Sequence, residues 1–142
     1  MIIPDINLLI YAYDAGSRFH KKARPWWQAC LSERDVVGLP WAVLLGFLRI
    51  ITSPKIFLNP MPVAEAVDHV ESWLERPQVQ IVHAGARHRD LVLGYLREFG
   101  TAGNLTTDTH LAALAVEHQA TLLTTDADFT RYSGLRWRNP LA

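Results

Sequence analysis

Short strand-like runs alternate with helix-like stretches along the chain, and this alternation most narrows what it can fold into. "MIIPD", "DVVGL", "VQIVHA", "TLLTTD" and "LRWRN" read as strands. "INLLIYAYD" between the first two fits a short helix, and "SRFHKKARPWWQACLSE" a longer one with Ser17 as its expected N-cap. "WAVLLGFLRIIT" is apolar nearly all round and is expected to be buried, with Trp26, Trp27 and Trp41 in the core. "VAEAVDHVESWLE" places Val63, Val67, Val70 and Leu74 at helical spacing. "ARHRDLVLGYLREFG" is an amphipathic helix stopped at Gly100, and "TTDTHLAALAVEHQA" is a helix starting near Thr107 or Asp108. A chain that alternates in this way builds an α/β fold around a mostly parallel sheet, with right-handed crossovers.

That topology gathers acids. In an open parallel sheet, ligands collect beyond the carboxyl ends of the strands. Asp5 ends the first strand, and Asp126 ends "TLLTT". Asp108 opens the helix that leads into that same strand, so helix start and strand end share one edge. Three or four carboxylates at one edge repel each other and should have raised pKa values unless a cation joins them. Oxygen donors of this kind select Mg²⁺ or Mn²⁺, and no Cys or His cluster has zinc spacing. Each acid also has a purely local reading. Asp5 and Asp108 suit helix N-termini, and Asp126 with Asp128 suits an Asx turn before Phe129.

Composition sets limits. With 142 residues, 49% of them hydrophobic, the chain is expected to form one domain with a real core. A formal net charge of zero excludes a strongly basic nucleic-acid coat but not a local patch, such as Arg18, His20, Lys21, Lys22 and Arg24. A lone Cys30 excludes an intrachain disulfide framework and points to the reducing cytoplasm. The N-terminus lacks the basic start of a secretory signal, and no uncharged run approaches the roughly 18 residues of a membrane span.

"PDINLLIYAYD", "TTDTHLAALAVEHQATLLTTDADF" and "GLRWRNP", with "LPWAVLLGFLRI" and "GTAGN" between them, resemble the PIN-domain ribonucleases of the VapC toxin group across essentially the whole chain. The resemblance implies a single PIN domain over residues 1–142. Its fold would be a three-layer sandwich, a five-stranded, mostly parallel sheet with helices on both faces. It implies an endoribonuclease dependent on Mg²⁺ or Mn²⁺ that cuts tRNA or rRNA and inhibits translation, commonly a homodimer, blocked by a VapB-type antitoxin.

Carried over residue by residue, Asp5, Asp108 and Asp126 are the expected metal-binding acids, and Asp128 joins them as a catalytic acid. Asn7 and Thr125 match polar residues near the acids in many relatives. One family feature is missing. Many PIN domains carry a glutamate on the helix corresponding to "WAVLLGFLRI", but position 46 is Gly46 and this helix holds no acid. Arg49 lies one turn on at i, i+3, either balancing the acids or holding an RNA phosphate. Gly46 in mid-helix costs roughly 1 kcal/mol relative to Ala, and close approach of a helix or a nucleotide would explain it.

Two rival readings stay open at the level of sequence. A degenerate PIN module would bind RNA or a partner without chelator-sensitive cleavage. A Mg²⁺-dependent phosphohydrolase of the haloacid-dehalogenase type wants a second Asp two positions after the first, where this chain has Asn7.

Overall fold

A computed structural model describes all residues, Met1–Ala142. The strands are β1 (Ile2–Pro4), β2 (Val37–Pro40), β3 (Val79–Val82), β4 (Thr121–Leu123) and β5 (Arg136–Arg138). The helices are α1 (Ile6–Tyr13), α2 (His20–Ser32), α3 (Trp41–Ile51), α4 (Val63–Leu74), α5 (His88–Phe99) and α6 (Thr106–Glu117). Short 3₁₀ turns at Gly103–Leu105 and Ala127–Arg131 precede α6 and follow β4.

The sheet order is β3-β2-β1-β4-β5, and all four pairings are parallel. From β1 the chain steps outward through β2 to β3, then crosses back to the far side of β1 for β4 and β5. With right-handed crossovers, that reversal puts α1 to α4 on one face and α5 and α6 on the other. The packing agrees: α1 meets α2 and α3, α3 meets α4, and α5 meets α6. The change of direction falls between β1 and β4, the point where a doubly wound sheet opens a crevice.

Register explains how that crevice is lined. Ile2, Ile3 and Pro4 pair with Thr121, Leu122 and Leu123. The next residues, Asp5 and Thr124, therefore emerge side by side, and the Asp5 N–H closes the ladder on the Leu123 carbonyl at 2.8 Å. Pro4 and Pro40 are tolerated because each is the last residue of its strand.

The α1–α4 side of the core is aromatic. Trp73 packs against Trp27 and Phe47, with ring centroids 5.4 and 4.8 Å apart, and its indole N–H donates to the Tyr13 hydroxyl at 2.9 Å. On the other side α6 buries Leu111, Ala112, Ala113, Leu114 and Ala115 almost all round.

Three sequence expectations are corrected. Trp41 is not core: it is 47% exposed, and Leu45 one turn later is 58% exposed, so α3 is buried on one face rather than all round. Trp41 opens the helix straight after β2. Ser17 does not cap α2. That helix begins at His20 with no side-chain cap, and the Ser17 hydroxyl instead accepts the Phe19 N–H at 3.1 Å in the preceding turn. α6 begins at Thr106, a residue earlier than expected, because the 3₁₀ turn before it runs directly into the helix.

Candidate active site

Asp5 sits at the end of β1 and is 8% exposed. Both oxygens are held. Oδ1 accepts the Ile6 N–H at 2.7 Å, which makes Asp5 the N-cap of α1, and Oδ2 accepts the Thr124 hydroxyl at 2.9 Å. Burial pushes its carboxyl above the usual range against those two hydrogen bonds, and the charge of Asp126 adds to the push. Capping and membership of an acidic cluster are thus both true of Asp5.

Asp108 lies in the first turn of α6, is half-buried, and its carboxylate accepts no hydrogen bond within the protein. Burial first, then the charges of Asp5 and Asp126, push its pKa up to about 6, with Arg131 pulling the other way. Asp5, Asp108 and Asp126 are therefore within electrostatic reach of one another. Asp126 begins the turn after β4: its Oδ1 accepts the Asp128 N–H at 2.9 Å, and its own N–H donates to the Thr124 hydroxyl at 3.1 Å. Asp128 is exposed, and its charge is the smallest of the acidic contributions felt at Asp108.

As the side chains are turned, no group of three or more Asp, Glu, His or Cys residues is close enough to enclose an ion. The donor set still fits a hard divalent cation. It consists of carboxylates alone, and one of them is unbonded and forced toward protonation by its acidic neighbours. The 610 and 470 Å³ cavities are both lined by other residues, so the acids line an open edge rather than a closed pocket. An open edge suits a polymer.

Gly46 has a clear steric reason. A Cβ built on it would lie 2.5 Å from Ile6 Cδ1 and 3.0 Å from Ile6 Cγ1. The Ile6 side chain lies across the bare α3 backbone, at the position where the family resemblance led a glutamate to be expected. The helix, not a nucleotide, makes the close approach.

The other expected residues form no side-chain hydrogen bond to the acids. Arg49 and Asn7 are exposed and make no side-chain hydrogen bond, and the one side-chain ion pair in the protein is His69–Glu65. Gly46 is buried while Arg49 points to solvent, so the two do not share a face as their spacing suggested. Thr125 makes no side-chain hydrogen bond; its neighbour Thr124, fully buried, makes two. The residue that sequence reasoning missed at the site is therefore Thr124. Only the β1–β4 register, which the sequence does not carry, sets position 124 directly beside Asp5. His110, two residues after Asp108, is taken up by His88, Nδ1 to Nε2 at 2.9 Å.

Comparison with known proteins agrees with the fold. The family described as PIN domain matches residues 2–135. Ribonuclease VapC33 of Mycobacterium tuberculosis is 45% identical over 141 residues, which cover 99% of each chain. Among solved structures, VapBC2 from Rickettsia felis, bound to a promoter DNA fragment, superposes with a TM-score of 0.69 at 18% identity, covering 98% of each chain. VapC20 of Mycobacterium tuberculosis, described as a sarcin-ricin loop cleaving toxin, has the same TM-score at 18% identity, covering 96% of this chain and 99% of its own.

Proposed function

The chain belongs to the PIN-domain family and to the VapC ribonucleases within it, and on that premise we propose that Asp5, Asp108 and Asp126 bind Mg²⁺ or Mn²⁺ and direct hydrolysis of RNA phosphodiesters. It is a ribonuclease toxin of a toxin–antitoxin pair. The observation that carries the site assignment is the half-buried, unbonded Asp108 carboxylate, raised to about 6 beside Asp5 and Asp126.

The chemistry a divalent cation supplies here is Lewis-acid polarisation of water and of the scissile phosphate. The chain supplies position. Thr124 and the Ile6 N–H hold Asp5 in one orientation, which leaves each carboxylate oxygen a second lone pair for an ion. Thr124 also fixes the turn that carries Asp126. Asp108 needs no side-chain partner displaced before it can turn toward an ion. Tyr132, bonded to Thr109 at 3.0 Å, packs on Phe129, and both are buried in and beside the turn that follows Asp126. No protein nucleophile is required. The filled space at Gly46 argues for one firm metal site rather than two, with substrate phosphate completing any second.

We further propose that the substrate is structured RNA of the translation apparatus, tRNA or rRNA. A VapB-type antitoxin would cover the acidic edge, and the toxin would act as a homodimer in the cytoplasm. Support comes from the named relatives and from an acidic edge open to a large substrate. No helix is long and apolar enough to cross a membrane.

The test is expression with and without the cognate antitoxin, together with RNA cleavage by purified Asp5→Ala and Asp108→Ala. Wild-type cleavage that is lost with chelator and in both variants is the expected result. Variants that cleave at the wild-type rate would overturn the assignment. A stable wild type that binds RNA but never cleaves it would return the chain to the binding-module reading.

A further inference from the structure

An edge lined by Asp5, Asp108, Asp126 and Asp128 repels phosphate beyond whatever charge a bound divalent ion neutralises, so a cation of the protein beside it would help to hold the substrate there. The candidates differ in how they are held. Arg136 donates to the Gln119 carbonyl at 2.6 Å, and Arg18 lies over the Phe19 ring. Arg49 is on α3, exposed, and is not among the charges that shift Asp5 or Asp108. Arg131 is different. It ends the 3₁₀ turn that begins after Asp126. Its Nε donates to the Asp128 carbonyl at 3.2 Å, and its guanidinium carbon lies 5.8 Å from the Phe99 ring centre.

These two contacts hold the guanidinium plane from the side and leave both terminal nitrogens without a hydrogen bond in the protein. No carboxylate lies within ion-pair distance of it, although four surround the site. A planar fork with its outer N–H groups unspent is the arrangement that grips a phosphate in two places.

We propose that Arg131 is the phosphate-binding residue of this site, its terminal nitrogens donating to the non-bridging oxygens of an RNA phosphate at the acidic edge. The proposal rests on the nuclease reading above and adds to it the residue that recruits the substrate. The same turn carries Asp126 and Arg131, so one short segment supplies both a metal-binding acid and the substrate clamp. The turn that folds Arg131 back over Phe99 makes it part of the site.

The test measures binding apart from cleavage. Asp5→Asn keeps an N-cap and removes a metal ligand. In that background, the affinity for a short single-stranded RNA is measured by fluorescence anisotropy across a range of KCl concentrations, with and without Arg131→Ala. Loss of the clamp should weaken binding roughly tenfold and reduce the slope of log affinity against log salt by about 0.7. Arg131→Lys should restore the slope but not the full affinity, because a point charge replaces a fork. In the otherwise wild-type chain, Arg131→Ala should leave Mn²⁺ affinity unchanged or tighter, since a positive neighbour is removed. RNA affinity and salt slope unaffected by Arg131→Ala would overturn the proposal and leave Arg131 a counter-ion to Asp108. Weaker Mn²⁺ binding in that variant would overturn it as well, showing that the residue shapes the acids instead. If the wild type cleaves no RNA, the nuclease reading fails, while the binding slope still decides for or against Arg131.

Discussion

The Thr124 hydroxyl donates to Asp5 Oδ2 at 2.9 Å and accepts the Asp126 N–H at 3.1 Å, so one buried oxygen joins the end of β1 to the turn after β4. Replacing it with Val keeps the shape and removes both bonds. The Asp126 N–H then loses its acceptor and Asp5 loses a donor. Thr124→Val should cost about 1–3 kcal/mol of stability and weaken Mn²⁺ binding, whereas Thr124→Ser should lie close to wild type. Urea denaturation and calorimetric Mn²⁺ titration read the two effects. A Val variant with wild-type stability and affinity would show that the bridge is incidental.

Asp108 makes the metal-free protein sensitive to pH. Its carboxyl rises from 3.8 to about 6 on folding. Between those values the folded state binds more protons than the unfolded one, so the contribution of this group to stability falls as pH rises, and the penalty is complete above about pH 6. Asp108→Asn should therefore raise the melting temperature of the chelator-treated protein at pH 7.5 and have little effect near pH 4. Mg²⁺ should stabilise the wild type more at pH 7.5 than at pH 5. Thermal melts over this range check both, and an Asn variant that melts lower at pH 7.5 would contradict the account.

Gly46 and Ile6 form a matched pair. Ala at position 46 improves helix propensity by about 1 kcal/mol, but its Cβ meets Ile6 Cδ1 at 2.5 Å and Cγ1 at 3.0 Å. Ile6 is β-branched and stiff at χ1 in a helix, so it cannot swing clear cheaply. Gly46→Ala alone should be destabilising, and the same change with Ile6→Ala should be less so or stabilising. A double-mutant cycle in denaturant measures the coupling. A single Gly46→Ala that is more stable than wild type would refute it.

Asp126 and Asp128 should separate by function. Asp126 is placed by Thr124 and organises the turn through the Asp128 N–H, whereas the Asp128 side chain is exposed. Asp126→Ala should weaken Mn²⁺ binding at least roughly tenfold, the loss of a charged ligand, and Asp128→Ala clearly less. Equal losses, measured by calorimetry, would mean that Asp128 takes over part of the role of the glutamate missing at position 46.

Much of the architecture was legible because it depends on local order along the chain. Strand runs alternating with helical stretches require a parallel sheet, and acids at strand ends and a helix start must then meet at one edge. Asp5, Asp108 and Asp126 could be placed there before any coordinate was known. Threonines 124 and 125 could not be told apart, since only the register between β1 and β4 says which of them faces Asp5. Trp41 read as core because its helix is apolar; its exposure depends on where α3 leaves the sheet.

What the sequence by itself determined is the class of fold and the acids: strands alternating with helices around a mostly parallel sheet, aspartates at strand ends and a helix start, and no acid on α3. These follow from periodicity, from strand ends and from residue identity, which act over a few positions. What only the tertiary structure decided is the working partner of each donor. Ile6 fills the space left by Gly46, Thr124 ties Asp5 to the Asp126 turn, and Arg131 packs over Phe99 with its charge felt at Asp108. Each of these contacts joins elements brought together by packing, and an interaction a few ångströms long between residues far apart in the chain leaves no periodic trace in it.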